Sequence, residues 1–128
     1  MTSDGLRGAL DTLARALSPT AQRDVPLSRF TSMRVGGPAD LLTVVESAEA
    51  LFDVVTLARG HGVPWRVLGG GCNVLIADTG LRGLVIINRA GSVSVEGGRV
   101  HAESGAMLAR VARRCAEAGL AGMTWAEG

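Results

Sequence analysis

Residues 68–75 read Leu68-Gly69-Gly70-Gly71-Cys72-Asn73-Val74-Leu75. Three successive glycines offer nothing to pack and are costly to order, so a chain carries them where backbone must turn sharply or approach another group closely. With no Cβ in the way, several N–H groups can converge into a concave nest that takes an anion. Asn73 adds side-chain donors and an acceptor at the rim. The same residues also suit a tight turn between two buried strands, and on their own they do not choose between the two.

The type of anion loop can be narrowed. A P-loop needs lysine after its glycines, but all 13 basic residues here are arginine. The absence of lysine also removes Schiff-base chemistry from this stretch of protein. A dinucleotide fingerprint of the Rossmann type needs G-x-G-x-x-G opening a helix. Gly69 and Gly71 fit, but Val74 stands at the third glycine position, and Val74 to Gly80 is short and ends in a turn signal. What remains is a strand–glycine loop–strand arrangement holding phosphate on main-chain amides.

Other chemistry-bearing side chains are sparse. His61 and His101 have no second ligand at metal spacing, so they read as surface or structural residues and no metal site is expected. A redox or nucleophilic Cys72 would need an electropositive setting. Cys115 falls on an apolar helix face and reads as core. Glu103 and Glu127 lie near glycines, within sequence reach of a ribose or adenine, although a solvated carboxylate is the preferred reading. Arg34 suits either a phosphate or an acidic partner. Arg110, Arg113 and Arg114 form the exposed face of a helix, and Trp125 is a packing residue.

Composition limits the partners. A net charge of +1 supplies no basic field for nucleic acid, and 3% aromatic residues supply no stacking platform. No apolar run approaches the ~18 residues needed to span a membrane. Residues 1–17 lack the pattern of a signal peptide. Two cysteines do not make a disulfide framework, so a reducing cytoplasm is expected. No protein partner is inferred.

The positioning elements follow from periodicity. Leu6, Leu10, Leu13, Ala14 and Leu17 predict an amphipathic N-terminal brace ending at Ser18-Pro19. Thr20 to Ser32 shows no period and reads as a connector. Phe30 to Val35 reads as extended, and Gly36-Gly37-Pro38 as a turn. Asp40 to Glu46 predicts a buried strand. Ser47 should cap a helix with Leu51, Val54, Val55 and Ala58 on its apolar face and Gly60 as its left-handed stop. Trp65 to Leu68 completes a βαβ unit, expected to be parallel and right-handed. Leu84 to Asn88 is the next strand. A hairpin is expected around Glu96-Gly97-Gly98. Ser104 should cap a last helix with Met107, Leu108, Val111, Ala112 and Cys115 on one face, stopped by Gly119.

Several stretches together resemble one family. Thr31-Ser32-Met33-Arg34-Val35-Gly36-Gly37-Pro38-Ala39 is similar to its T-x-x-x-x-G-G-P-A signature, and Leu68 to Leu75 to its L-G-x-G-S-N-x-L flavin loop. Asp78-x-Gly80 with Gly83 to Ile86, and Ser104-Gly105-Ala106 with Gly119 to Met123, resemble its following segments in order. The family is UDP-N-acetylenolpyruvoylglucosamine reductase, a flavoenzyme of peptidoglycan precursor synthesis. The resemblance runs from about Pro26 to the end.

The resemblance implies an α+β flavin-binding fold of the vanillyl-alcohol-oxidase type. Residues 1–25 would form an N-terminal helix and connector, 26–90 a first FAD-binding subdomain, and 91–128 the start of a second. FAD, held non-covalently, would lie between them, with its pyrophosphate on Gly69, Gly70, Gly71, Cys72, Asn73, Val74 and Leu75. In the family NADPH reduces the flavin, which passes hydride to the enolpyruvyl double bond of UDP-N-acetylglucosamine enolpyruvate, giving UDP-N-acetylmuramate. Cys72 departs from the usual serine, and a thiol is a weaker donor than a hydroxyl. The family's serine proton donor and its catalytic arginine and glutamate come from a later part of its chain, so 1–128 alone is expected to be inactive. Two rival readings are another FAD-linked oxidoreductase of this fold and a non-catalytic nucleotide-binding module. Many such oxidases tether flavin through histidine near the loop, and residues 69–80 contain none.

Overall fold

The computed structural model describes residues 3–69 and 74–123. The chain opens with helix α1 (Ser3–Leu17). Leu10, Leu13 and Leu17 recur on one face and are buried. Asp4 in the first turn and Arg15 in the last match the helix dipole. The expected brace is therefore present.

The connector expected at 20–32 is instead structured. Strand β1 (Gln22–Pro26) leads into a short 3-10 helix (Leu27–Phe30). β1 has no apolar period because it is a border strand with only Val25 fully buried, and its stability comes from main-chain pairing. It runs antiparallel to β2 (Pro38–Val45), with Gln22 opposite Leu42 and Val25 opposite Ala39. An Arg23–Asp11 ion pair joins β1 to α1. Residues 30–35 are likewise not extended. The Thr31 hydroxyl accepts from the Val35 N–H and donates to the Val35 carbonyl, closing a turn in which Arg34 is left-handed at φ 57°.

Helix α2 (Ala48–Gly60) begins as read, with the Ser47 hydroxyl accepting from the Ala50 N–H at 3.0 Å. Its stop lies later than expected. Gly60 stays helical, and Gly62 is the left-handed residue, at φ 68°. The His61 and Gly62 N–H groups extend the helical bonding beyond Gly60. Strand β3 (Trp65–Leu68) follows, then β4 (Leu81–Asn88). The apolar run at 74–77, read as a strand, is irregular, and β4 starts three residues earlier than expected.

The sheet order is β1-β2-β4-β3. β2 and β3 both pair parallel with β4, which lies between them. The near-continuous burial of Leu84 to Asn88 suits a strand covered on both faces. Leu41, Val45, Leu84 and Ile86 pack against α1 and α2. Ala39, Leu42, Val85, Ile87 and Leu68 form the opposite face with Val25, Leu27 and Ile76.

A smaller unit follows. Strands β5 (Val93–Glu96) and β6 (Arg99–Ala102) form the expected hairpin, with Gly97 at φ 59°. Helix α3 (Leu108–Glu117) lays Val111 and Cys115 on Val93 and ends before left-handed Gly119. Cys115 is core, as read from its spacing.

Leu13 is wholly enclosed among leucine, valine and isoleucine side chains. Leu13→Ala is expected to lower unfolding free energy by about 2–5 kcal/mol, measured by urea denaturation.

Candidate functional site

Three parallel strands finish at one edge of the sheet. Val45 lies opposite Asn88, and Leu68 opposite Ile87. Loops at the carboxyl ends of parallel strands are where open α/β sheets take their ligands. Gly69 leaves β3 at this edge, exposed, and a Cβ built on it would have no atom within 4 Å. Val74 is half-buried, Leu75 is 76% exposed, and Ile76 is buried again. Gly70, Gly71, Cys72 and Asn73 lie outside the described residues, as do Trp125 and Glu127.

The loop is anchored at both ends. On one side Leu68 is held in the β3–β4 pairing. On the other, the Ala77 carbonyl accepts from the N–H groups of Gly37 and Gly80, both at 2.9 Å. The approach is so close that a Cβ on Gly37 would stand 1.9 Å from the Asp78 carbonyl oxygen. Reciprocally, a Cβ on Gly80 would stand 1.8 Å from the Pro38 carbonyl oxygen. The Gly36-Gly37-Pro38 stretch is thus a backbone clamp on the segment returning from the glycine loop, which requires more than a turn. The Leu27 N–H donates to the Gly37 carbonyl at 2.9 Å and fixes the clamp's other side. Nearby, Asp40 accepts from the Gly83 N–H and pairs with Arg82 at 2.8 Å. Arg34, left open between phosphate and acid, is exposed in the Thr31 turn.

The second wall is built around Asn88. Its amide donates to the Ser104 hydroxyl at 2.8 Å, and its carbonyl oxygen accepts from the Ala90 N–H at 3.0 Å. Ser104 is therefore not the helix cap expected. Met107 occupies that position at the start of α3, with no side-chain cap bond among the described residues. Met107 and Leu108 are 73% and 57% exposed, whereas Val111, Ala112 and Cys115 are buried. The apolar face read from spacing thus begins one turn later, and its first two members stand free of the core. Gly105 donates to the Ala90 carbonyl at 2.7 Å, and a Cβ there would meet the Asn88 and Ala90 backbone at under 3 Å. Arg110, read as solvent-facing, is exposed but also donates to the Gly91 carbonyl at 2.8 Å.

Glu103 completes this wall. Its carboxylate accepts from the Ser92 N–H at 2.9 Å and from the Ala48 N–H at 2.7 Å, the first N–H of α2. The solvated reading of Glu103 misses this role. The signal available in the sequence was an acidic residue following a strand, without any hint of its distant main-chain partners. The Ser92 N–H, and next the Ala48 N–H, hold its carboxyl below the ordinary glutamate value, with desolvation opposing them. No cluster of three metal-ligating side chains occurs among the described residues.

The match to known proteins fits this geometry. The chain belongs to the FAD binding domain family, whose pattern covers residues 39–127. FAD is accordingly the cofactor of this α+β domain. Within that class the chain is most informatively compared with UDP-N-acetylenolpyruvoylglucosamine reductases. It is 43% identical over 120 residues to that of Rubrobacter xylanophilus, covering 92% of this chain and 40% of the relative. With that of Synechococcus sp. (strain CC9311) the identity is 41% over 114 residues, covering 87% and 36%. The solved reductase of Thermus caldophilus superposes with a TM-score of 0.60 at 33% identity, covering 79% of this chain and 35% of that one. A p-cresol methylhydroxylase shares the fold, with a TM-score of 0.58 at 14% identity over 94% of this chain and 26% of its own. The chain spans 40% or less of the length of these relatives.

The residues present suit such a cofactor. Gly69 leaves open space beside an anchored backbone, and Leu75, Met107 and Leu108 carry apolar surface that the described core does not cover.

Gly37→Ala is expected to destabilise the fold by at least about 1–3 kcal/mol, because the neighbour that must yield is backbone. Thermal unfolding measures it. A second expectation concerns acid. A carboxyl lowered on folding contributes fully above its unfolded value, and that contribution is lost as pH falls through the lowered folded value. Glu103→Gln should therefore reduce stability near neutrality and give a shallower fall as pH drops through and below the ordinary glutamate range, read from urea midpoints on acidification.

Proposed function

We propose that this chain forms the FAD-holding part of an NADPH-dependent reductase that converts UDP-N-acetylglucosamine enolpyruvate to UDP-N-acetylmuramate. The observation that carries the reading is the anchored glycine loop at the carboxyl edge of a parallel sheet, in a chain 43% identical to such a reductase. The setting is the cytoplasm, where nucleotide-linked precursors and NADPH are available. Two cysteines and no helix able to cross a membrane among the described residues accord with it.

In this reading the pyrophosphate rests on Gly69, Gly70, Gly71, Cys72, Asn73, Val74 and Leu75. Main-chain N–H groups neutralise it without lysine or a metal ion. The lack of histidine in 69–80 favours non-covalent attachment. When bound, FAD carries hydride from NADPH to the enolpyruvyl double bond. The residues described here bind and orient the group. Proton delivery and substrate binding fall to parts of the reductase outside this chain, and residues 1–128 alone are inactive. The domains divide at 1–25, 26–90 and 91–128, with the Asn88–Ser104 contact bridging the last two.

In the full-length protein, NADPH oxidation should depend on the enolpyruvyl nucleotide and on bound FAD. Gly70→Val should raise the FAD dissociation constant by about tenfold or more, about 1.4 kcal/mol, measured by flavin fluorescence titration. Unchanged affinity would make the loop a turn only. A colourless preparation that takes up no added FAD would remove the flavin role.

A further inference from the structure

We infer that Glu103 is a positioning residue for FAD, setting the two parts of the domain at the spacing the cofactor needs. This rests on the reading that FAD lies at the seam between them. The carboxylate reaches three separate pieces of the fold. It is borne by the segment after β6, accepts from Ser92 at the entry to the hairpin, and accepts from Ala48 at the start of α2. Its own N–H donates to the Ser92 carbonyl at 2.9 Å, so the pair is closed in both directions.

Placement gives these bonds their consequence. Ala48 follows the end of β2, and Ser92 follows the end of β4, at the same sheet edge from which Gly69 departs. The next two residues are engaged there as well: Ser104 accepts from Asn88, and Gly105 donates to Ala90. Residues 103–105 thus fasten the smaller unit to the larger one. The chain then runs directly into exposed Met107 and Leu108. Of the three fastenings, only that of Glu103 reaches a helix of the larger unit, at the first N–H of α2. It therefore fixes an angle, where Ser104 and Gly105 fix a contact.

The carboxylate's shape matters. Its two oxygens each accept one main-chain N–H, Oε1 from Ser92 and Oε2 from Ala48. An amide can accept only on one side and would oppose its NH₂ group to the other N–H. Glu103→Gln should therefore weaken the fastening while keeping the volume, and Glu103→Ala should abolish it.

The test uses the full-length flavoprotein, at a temperature where every apo variant is folded by circular dichroism. FAD affinity is read by fluorescence titration, and the shape of the bound flavin's visible absorption bands reports its surroundings. Glu103→Ala should raise the dissociation constant about tenfold and alter the bands, and Glu103→Gln should raise it by about threefold. Leu13→Ala, a core change that removes none of these hydrogen bonds, should lower the melting temperature yet leave affinity within about twofold.

The inference is overturned if both Glu103 variants bind FAD within about twofold of wild type with unchanged bands. It is also overturned if Leu13→Ala weakens FAD as much as Glu103→Ala, because the effect would then be general destabilisation. Should Glu103→Ala fail to fold, Glu103→Gln decides alone. Gly70→Val separates the two levels. If it weakens FAD while the Glu103 variants do not, the loop reading stands and the positioning role falls. If the wild-type protein takes up no FAD, both fall.

Discussion

The closest constraint in the structure is the contact of two main chains, where Gly36-Gly37-Pro38 meets Ala77 to Gly80. Carbonyl oxygens occupy the places where a side chain at 37 or 80 would begin. Hydrogen bonds from Gly37 and Gly80 converge on one carbonyl, that of Ala77. Nothing in this contact can adjust by changing rotamer, so it behaves as a rigid joint. It sets where the chain emerging from the glycine loop re-enters the fold, and hence where β4 begins. β4 in turn is the shared partner of β2 and β3 and supplies both apolar faces of the sheet. The loop is suspended between that joint and the β3–β4 pairing.

At the opposite edge, the joining of the two units is polar. Asn88, Glu103 and Ser104 direct side chains to main-chain groups or to one another. Such bonds fix direction more than they supply net stability. The apolar core of the smaller unit is modest, formed by Val93, Val111 and Cys115 with partly buried neighbours. Orientation of that unit therefore depends on the polar fastening.

Much of this was legible in the sequence wherever burial writes a period. The leucines of α1, the face of α2, the Leu84 to Asn88 strand and the glycine-centred hairpin all appear where periodicity places them. Strand β1 was hidden because a border strand stabilised by main-chain bonds leaves little apolar signature. The 74–77 run misled for the opposite reason. Ile76 is drawn into the core by the clamp while Leu75 faces outward, so apolar character there reflects anchoring, with no ladder formed. The glycines at 37 and 80 announced a turn, but their mutual contact is tertiary and no local pattern encodes it. Glu103 and Asn88 were missed as fastenings for the same reason, since their partners lie 55 and 16 residues away in the chain. The order of short motifs carried the flavin-binding class where periodicity could not.

The position of β3 at the end of the sheet has a consequence for self-association. Among the described residues no strand lies beyond it, so its outer main-chain groups could template another extended chain. Trp65 and Val67 are partly exposed beside that border. Its guards are brevity, Pro64 immediately before it, and the charged Arg66 at its middle. Because the same four residues feed the glycine loop, an intruding strand would disturb the loop's first anchor. The guards of this border and the first anchor of the loop thus share a single short segment.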